Sequence, residues 1–183
     1  MKPIQNSAEL EICPDCGIQL PRLSSQGKAH RYIGASPSCW GLFSNLLNAG
    51  EPPISPGRFN PLLLDAYCVQ HPGKSSLQSI QSVAGHGLVL YGVFALGVDP
   101  KNALWIRRRA LRTIRGKPKQ TRFHWLTPPS SADNLTIGEI VNAPTPLART
   151  EQLHAYIQDV WSIWSAVHHD TLAEWYANYV SDD

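Results

Sequence analysis

Charge is scarce in this sequence: Asp, Glu, Lys and Arg make up 16% of its 183 residues, against 43% hydrophobic. That balance argues against a chain kept disordered by its own charge, and the length is enough to bury a real core in one domain. No apolar run approaches the roughly 20 residues a helix needs to cross a bilayer; the longest, Leu88 to Val98, falls well short. The stretch Met1 to Glu11 is polar and lacks the apolar core of a signal peptide. The expectation is a soluble, cytoplasmic protein with no membrane partner. Also missing are a glycine-rich phosphate loop, a dinucleotide-binding turn, a G-x-S-x-G elbow and an H-E-x-x-H pair, so none of those chemistries has a foothold here. There is no internal repeat.

What the sequence does have is Cys13-Pro14-Asp15-Cys16-Gly17. Two cysteines spaced by two residues can turn both sulfurs toward one ion, and Gly17 can take the positive φ such a turn uses. A redox pair has the same spacing, but it usually opens a helix after an apolar strand, and no apolar run precedes Cys13. Zinc is therefore the expected cofactor. Residues 1–40 are loop-like, rich in Pro and Gly and without a sustained period, and a metal is a sensible staple for such a segment. Cys39 follows a Ser-Pro-Ser turn and leads into a helix starting near Trp40, where the positive dipole end favours a thiolate. It is the third candidate ligand. His30, Cys68 and His71 compete to be the fourth. Cys68 also reads as a small buried hydrophobe and His71 as a helix end.

Beyond a Pro-rich connector over Gly50 to Asn60, periodicity predicts a helix over Pro61 to Gln70, capped by Asn60 and broken at Pro72. Another runs from about Ser75 to Leu96, and a third from Asp99-Pro100 through Arg115, stopped by Gly116. A short helix near Leu135 to Ala143 carries Thr136 and Glu139 at capping-box spacing. The last and longest covers about Leu147 to Val180, with Leu153, Ile157, Val160, Trp161, Trp164, His168, Leu172, Trp175 and Tyr179 on one stripe. The fold class expected is mainly α: a bundle-like helical body (51–183) with a zinc-pinned, loop-rich N-terminal arm and first helix (1–50).

Two further groups of residues carry chemical interest. Asp65, Gln70 and His71 near one helix end, Gln78, Gln81 and His86 on the next helix, and His168 on the last are polar positions on apolar helices. Converging, they would form a pocket for a metal-dependent hydrolase or lyase acting on a small molecule, with Asp65, His86 and His168 catalytic and Gln70, Gln78 and Gln81 orienting substrate. The plain alternative for a core histidine is a hydrogen bond to a carbonyl. The other group is basic: nine of the sixteen Lys and Arg residues fall between Lys101 and Arg122, although the formal net charge is only +2. On a helix, Arg108, Arg112 and Arg115 share a face that suits a nucleic acid or protein partner. A solvated helix face is the plain reading there. A non-enzymatic zinc module that binds through residues 105–122 is the alternative function.

The blocks Cys13 to Gly17, His30 to Trp40, Asp65 to Gly73 and Gln78 to His86, with Trp125 to Pro129 and Trp161, Trp164, His168 and His169, resemble a bacterial family of unknown function, DUF5946. The resemblance implies that Cys13, Cys16, Cys39, His71 and His86 belong to the family pattern. It implies that Cys68 stands at a position usually held by small apolar residues, which favours His71 or His30 as fourth ligand. It also implies that Gly85 and Gly87 replace bulkier residues, leaving room beside His86.

Overall fold

The stripe of Leu153, Ile157, Val160, Trp164, His168, Leu172, Trp175 and Tyr179 is buried along one uninterrupted helix, Pro146–Tyr179 (α6), while Trp161 is only partly buried. Thr145 caps it by accepting the Ala148 N–H, with Pro146 at the first helical position. The computed structural model describes residues 9–22, 30–48, 62–115, 118, 122–130 and 134–181. The other α-helices are Pro37–Asn48 (α1), Leu62–Gln70 (α2), Leu77–Phe94 (α3), Ala103–Arg115 (α4) and Ile137–Asn142 (α5). A single 3-10 turn, Pro100–Asn102, precedes α4. The protein is mainly helical, as its periodicity predicts. The connector over Gly50 to Asn60, the Asn60–Pro61 cap, the Gly116 stop, and Lys117 and Lys119 lie outside the described residues. No helix among the described residues is long and apolar enough to cross a membrane.

Helix α2 is buried nearly all round, including Asp65, Cys68 and Gln70, because α3 and α6 both pack on it. Helix α4 is the opposite case: only Ala103, Ile106, Ala110 and Ile114 are buried, a narrow stripe against α3 and α6. Ser76 caps α3 and Thr136 caps α5, the latter with the reciprocal Glu139 bond expected from the sequence.

The N-terminal arm departs from the loop expected. Leu10–Ile12 (β1) and Gln19–Pro21 (β2) pair antiparallel, with Glu11 opposite Leu20. Three-residue strands are too short to show a period. Their pattern is also inverted: Leu10 and Ile12 face solvent while Glu11 is half-buried. The reason is that Glu11 Oε2 accepts the Ser38 N–H (2.9 Å) in the first turn of α1, which places a carboxylate on the positive helix end. Hydrogen bonding from the Ser38 side chain and then from its N–H holds the Glu11 carboxyl below its usual range. Helix α1 starts at Pro37 rather than near Trp40, with Ser36 as cap: its hydroxyl accepts the Cys39 N–H at 3.2 Å.

The arm is clasped to the elbow between α2 and α3. Asp15 Oδ2 accepts the Gly73 N–H (2.8 Å), and the Gly34 N–H donates to the His71 carbonyl (3.1 Å). Gly73 sits at φ +68, a conformation open to glycine. At Gly34 a methyl group would land on the Asp15 carboxylate and 2.6 Å from the Gly73 Cα. Gly34→Ala is expected to cost about 3 kcal/mol, the upper part of the usual overpacking range. Urea unfolding measures this, and a cost below 0.5 kcal/mol would show that the clasp opens freely.

Candidate metal centre and adjoining recess

The knuckle turn is built locally. The Gly17 N–H donates to the Cys13 carbonyl (3.0 Å) and the Cys13 N–H to the Ile18 carbonyl (2.9 Å), with Gly17 at φ +75. That turn points both knuckle sulfurs inward. Cys39, at the third position of α1, brings its thiol to Cys16 Sγ at 3.9 Å. His71, just beyond the end of α2, completes the group, with Nε2 3.5 Å from Cys39 Sγ. The ligand atoms of Cys13, Cys16, Cys39 and His71 all lie within 4.8 Å of one another, and all four residues are buried. They could hold a metal ion.

The surrounding contacts orient the donors. His71 Nδ1–H donates to the Tyr67 carbonyl (2.8 Å), which fixes the tautomer that presents Nε2 to the sulfurs. The Ser36 N–H approaches Cys13 Sγ at 3.5 Å, and the Tyr67 hydroxyl lies 3.4 Å from Cys39 Sγ. The Tyr67 ring stacks on Phe43 with centroids 3.7 Å apart, tying α1 to α2. The sulfurs compete for protons: hydrogen bonds from Cys16 and Cys39 drive Cys13 toward thiolate, and the same contacts push the Cys16 thiol far up. Burial works against charge on His71, but hydrogen bonds to Cys13 and Cys39 raise it to about 10. A cation bound by thiolates replaces such shared protons.

The two alternative fourth ligands stand elsewhere. His30 packs its ring against Tyr32 and Trp40, each at a centroid distance of 4.6 Å, and burial lowers its pKa. Cys68 is buried against the His86 imidazole instead of facing the metal group.

A second polar cluster joins α2, α3 and α4. His86 Nδ1–H donates to Asp65 Oδ1 at 2.7 Å, and Arg107 Nη1 donates to the same oxygen at 3.0 Å. The Asp65 side chain has no exposure, and its Oδ2 has no partner among the described residues. Burial alone would push His86 toward neutrality, but Cys68 and Asp65 outweigh it and raise its pKa to about 9. His86 and Arg107, with Tyr32, Gln78, Gln81, Ser82, Gly85 and Leu111, line a recess of about 230 Å³, and Asp65 lies buried behind them. A Cβ at Gly85 would meet nothing closer than 4.0 Å, so there is room beside His86. Gly87 serves packing: a Cβ there would press on Leu172 at 3.2 Å.

Of the residues expected to form one pocket, Asp65, His86, Gln78 and Gln81 come together here. Gln70 does not. Its amide donates to the Leu135 carbonyl (2.7 Å) and accepts from the Tyr156 hydroxyl (2.9 Å), which ties α2 to α6 and to the segment ahead of α5. His71 belongs to the metal group. His168 Nε2–H donates to the Thr127 carbonyl at 2.8 Å, so its hydrogen bond anchors the 122–130 segment to α6. No second grouping of three or more His, Cys, Asp or Glu side chains with metal-ligand proximity is present among the described residues. Arg107 escaped sequence reasoning because it sits in a run of three arginines. Its position four residues after Ala103 and three before Ala110 was the available signal. Arg108, Arg112 and Arg115 are exposed.

The model of a family of unknown function, DUF5946, matches residues 11–165. The chain belongs to that family. The DUF5946 match spans Cys13, Cys16, Cys39, Asp65, His71, His86 and Arg107, and ends ahead of His168. No curated protein and no solved structure matches the chain.

Proposed function

We propose that the protein holds one zinc ion as a closed structural tie and carries out acid–base chemistry, of hydrolase or lyase type, in the recess over Asp65. The observation that carries this is the ligand set: three cysteines and a histidine, all buried, with donor atoms within 4.8 Å of one another. Tetrahedral zinc with Zn–S near 2.3 Å and Zn–N near 2.0 Å sets S···S at about 3.8 Å and S···N at about 3.5 Å, and the contacts of 3.9 and 3.5 Å fit. Catalytic zinc keeps one position for water, whereas four protein ligands close the shell. The zinc therefore fastens the arm to the α2–α3 elbow, and the reaction is assigned to the recess. There His86, charged at neutral pH, is the proton donor, Asp65 orients it, and Gln78 and Gln81 at the rim position the substrate.

Elemental mass spectrometry on the purified protein tests this. One zinc per chain is expected, lost in Cys16→Ser and retained in His86→Ala. Two metals, or one that depends on His86, would move the metal into the recess and overturn the assignment.

A second reading, a non-enzymatic zinc module, is favoured by the three exposed arginines on one face of α4. It requires strongly salt-dependent association that disappears when Arg108, Arg112 and Arg115 become Gln.

A further inference from the structure

The recess has a charge and a set of unused donors that specify what it takes. The permanent cation at the recess is the Arg107 guanidinium, which pairs at 3.0 Å with the buried Asp65 carboxylate, and the His86 imidazole lies 2.7 Å from the same oxygen. Among the described residues Arg107 donates only from Nη1, to Asp65 Oδ1, which leaves the rest of the guanidinium fork at the recess wall. Gln78, Gln81 and Ser82 also line it, and their side chains make no hydrogen bond to any described residue. A carboxylate or phosphate matches a guanidinium edge in two-point geometry, with neutral amides and a hydroxyl as further donors. The flanking Arg108, Arg112 and Arg115 are exposed and raise the local concentration of anions without touching the recess.

From these features we infer that the recess is a binding site for a small oxyanion, a carboxylate or a phosphate, held by Arg107 with Gln78 and Gln81. The inference deepens, and rests on, the reading of the recess as the working site; it is independent of the zinc. The volume of about 230 Å³ lies below that of pockets for drug-sized ligands, which start near 300 Å³. The ligand is therefore a small metabolite, and the tip of the anion is what Arg107 reads.

The test is NMR titration of the His86 imidazole in the full-length, metal-loaded protein, with three probes: inorganic phosphate, succinate and the neutral amide N-methylacetamide. At least one anion is expected to shift the His86 signals saturably, and which of the two does so identifies the headgroup. Arg107→Gln should weaken that binding at least tenfold. Because Arg107 also pairs with buried Asp65, that variant can lose its fold; Gln81→Leu, which breaks no hydrogen bond between described residues, should weaken binding severalfold in a folded protein. The triple change of Arg108, Arg112 and Arg115 to Gln should alter it less than threefold. Signals that respond to N-methylacetamide but to neither anion would overturn the oxyanion while leaving the recess as a binding site. Signals that respond to no probe would overturn both. Equal losses in the triple variant and in Arg107→Gln, or binding of a DNA duplex that leaves His86 unmoved, would assign the charge to α4's outer face instead.

Discussion

Cys16→Ser is expected to lower the melting temperature by about 10–20 °C and to leave the protein without zinc. Loss of a structural metal belongs to the small class of changes that cost on the order of 5 kcal/mol. In a chain of this size each kcal/mol is worth about 2–4 °C. The cost is large because little else secures the arm. Its strands are three residues long, and apart from the packing of Ile18, Leu20, Ile33 and Ala35 against the core its ties are hydrogen bonds such as those of Glu11, Asp15 and Gly34. Scanning calorimetry with and without a chelator checks the result. Chelation should reproduce the loss in the wild type and add nothing in Cys16→Ser. An unchanged melting temperature in both would mean that packing and hydrogen bonds hold the arm without a metal.

Asp65→Asn is expected to cost about 3–5 kcal/mol, the range for removing one partner of a buried ion pair. The amide keeps the shape but leaves Arg107 and His86 facing each other, Nη1 to Nδ1 at 3.2 Å, with no carboxylate between them. The variant should also change the pH dependence. His86 is raised to about 9 by Cys68 and Asp65, above its ordinary value of about 6.5. A raised pKa means that the protonated imidazole stabilises the folded protein in full below about pH 6.5 and that this contribution disappears as pH climbs through 9. With the Arg107 guanidinium opposing it, the contribution is on the order of 2 kcal/mol. Urea unfolding at pH 6.5, 8 and 9.5 should therefore show wild-type stability falling across the series and Asp65→Asn changing much less. Parallel curves for the two proteins would show that Asp65 does not keep His86 charged.

The metal group was largely legible from residue type, because Cys13, Cys16 and Cys39 have few other uses in such a turn-rich segment. The fourth ligand was not: His30, Cys68 and His71 are all near in sequence, and what separates them is the direction of α2's faces. Asp65 and Cys68 lie one turn apart and look toward His86, while His71 falls past the helix end, where Tyr67 can accept its Nδ1–H. The recess was half legible. Polar residues on apolar helices flagged Asp65, His86, Gln78 and Gln81, but the same flag included Gln70 and His168, whose hydrogen bonds to Leu135, Tyr156 and Thr127 depend on loops and helix packing that periodicity does not place. Arg107 was hidden by its neighbours, since three consecutive arginines look alike until the buried stripe of α4 sets the helix phase.

The order of the ligands along the chain has a consequence for biosynthesis. All four come from the first 71 residues, so the complete donor set exists before α3, α4, α5 and α6 have been made. Of the two helices that later cover α2, α6 is the last to appear, and it brings the Tyr156 hydroxyl to Gln70. Domains emerge and fold from the N-terminus during synthesis. The donors of the metal group are thus all available to an ion before the helices that bury α2 have been synthesised.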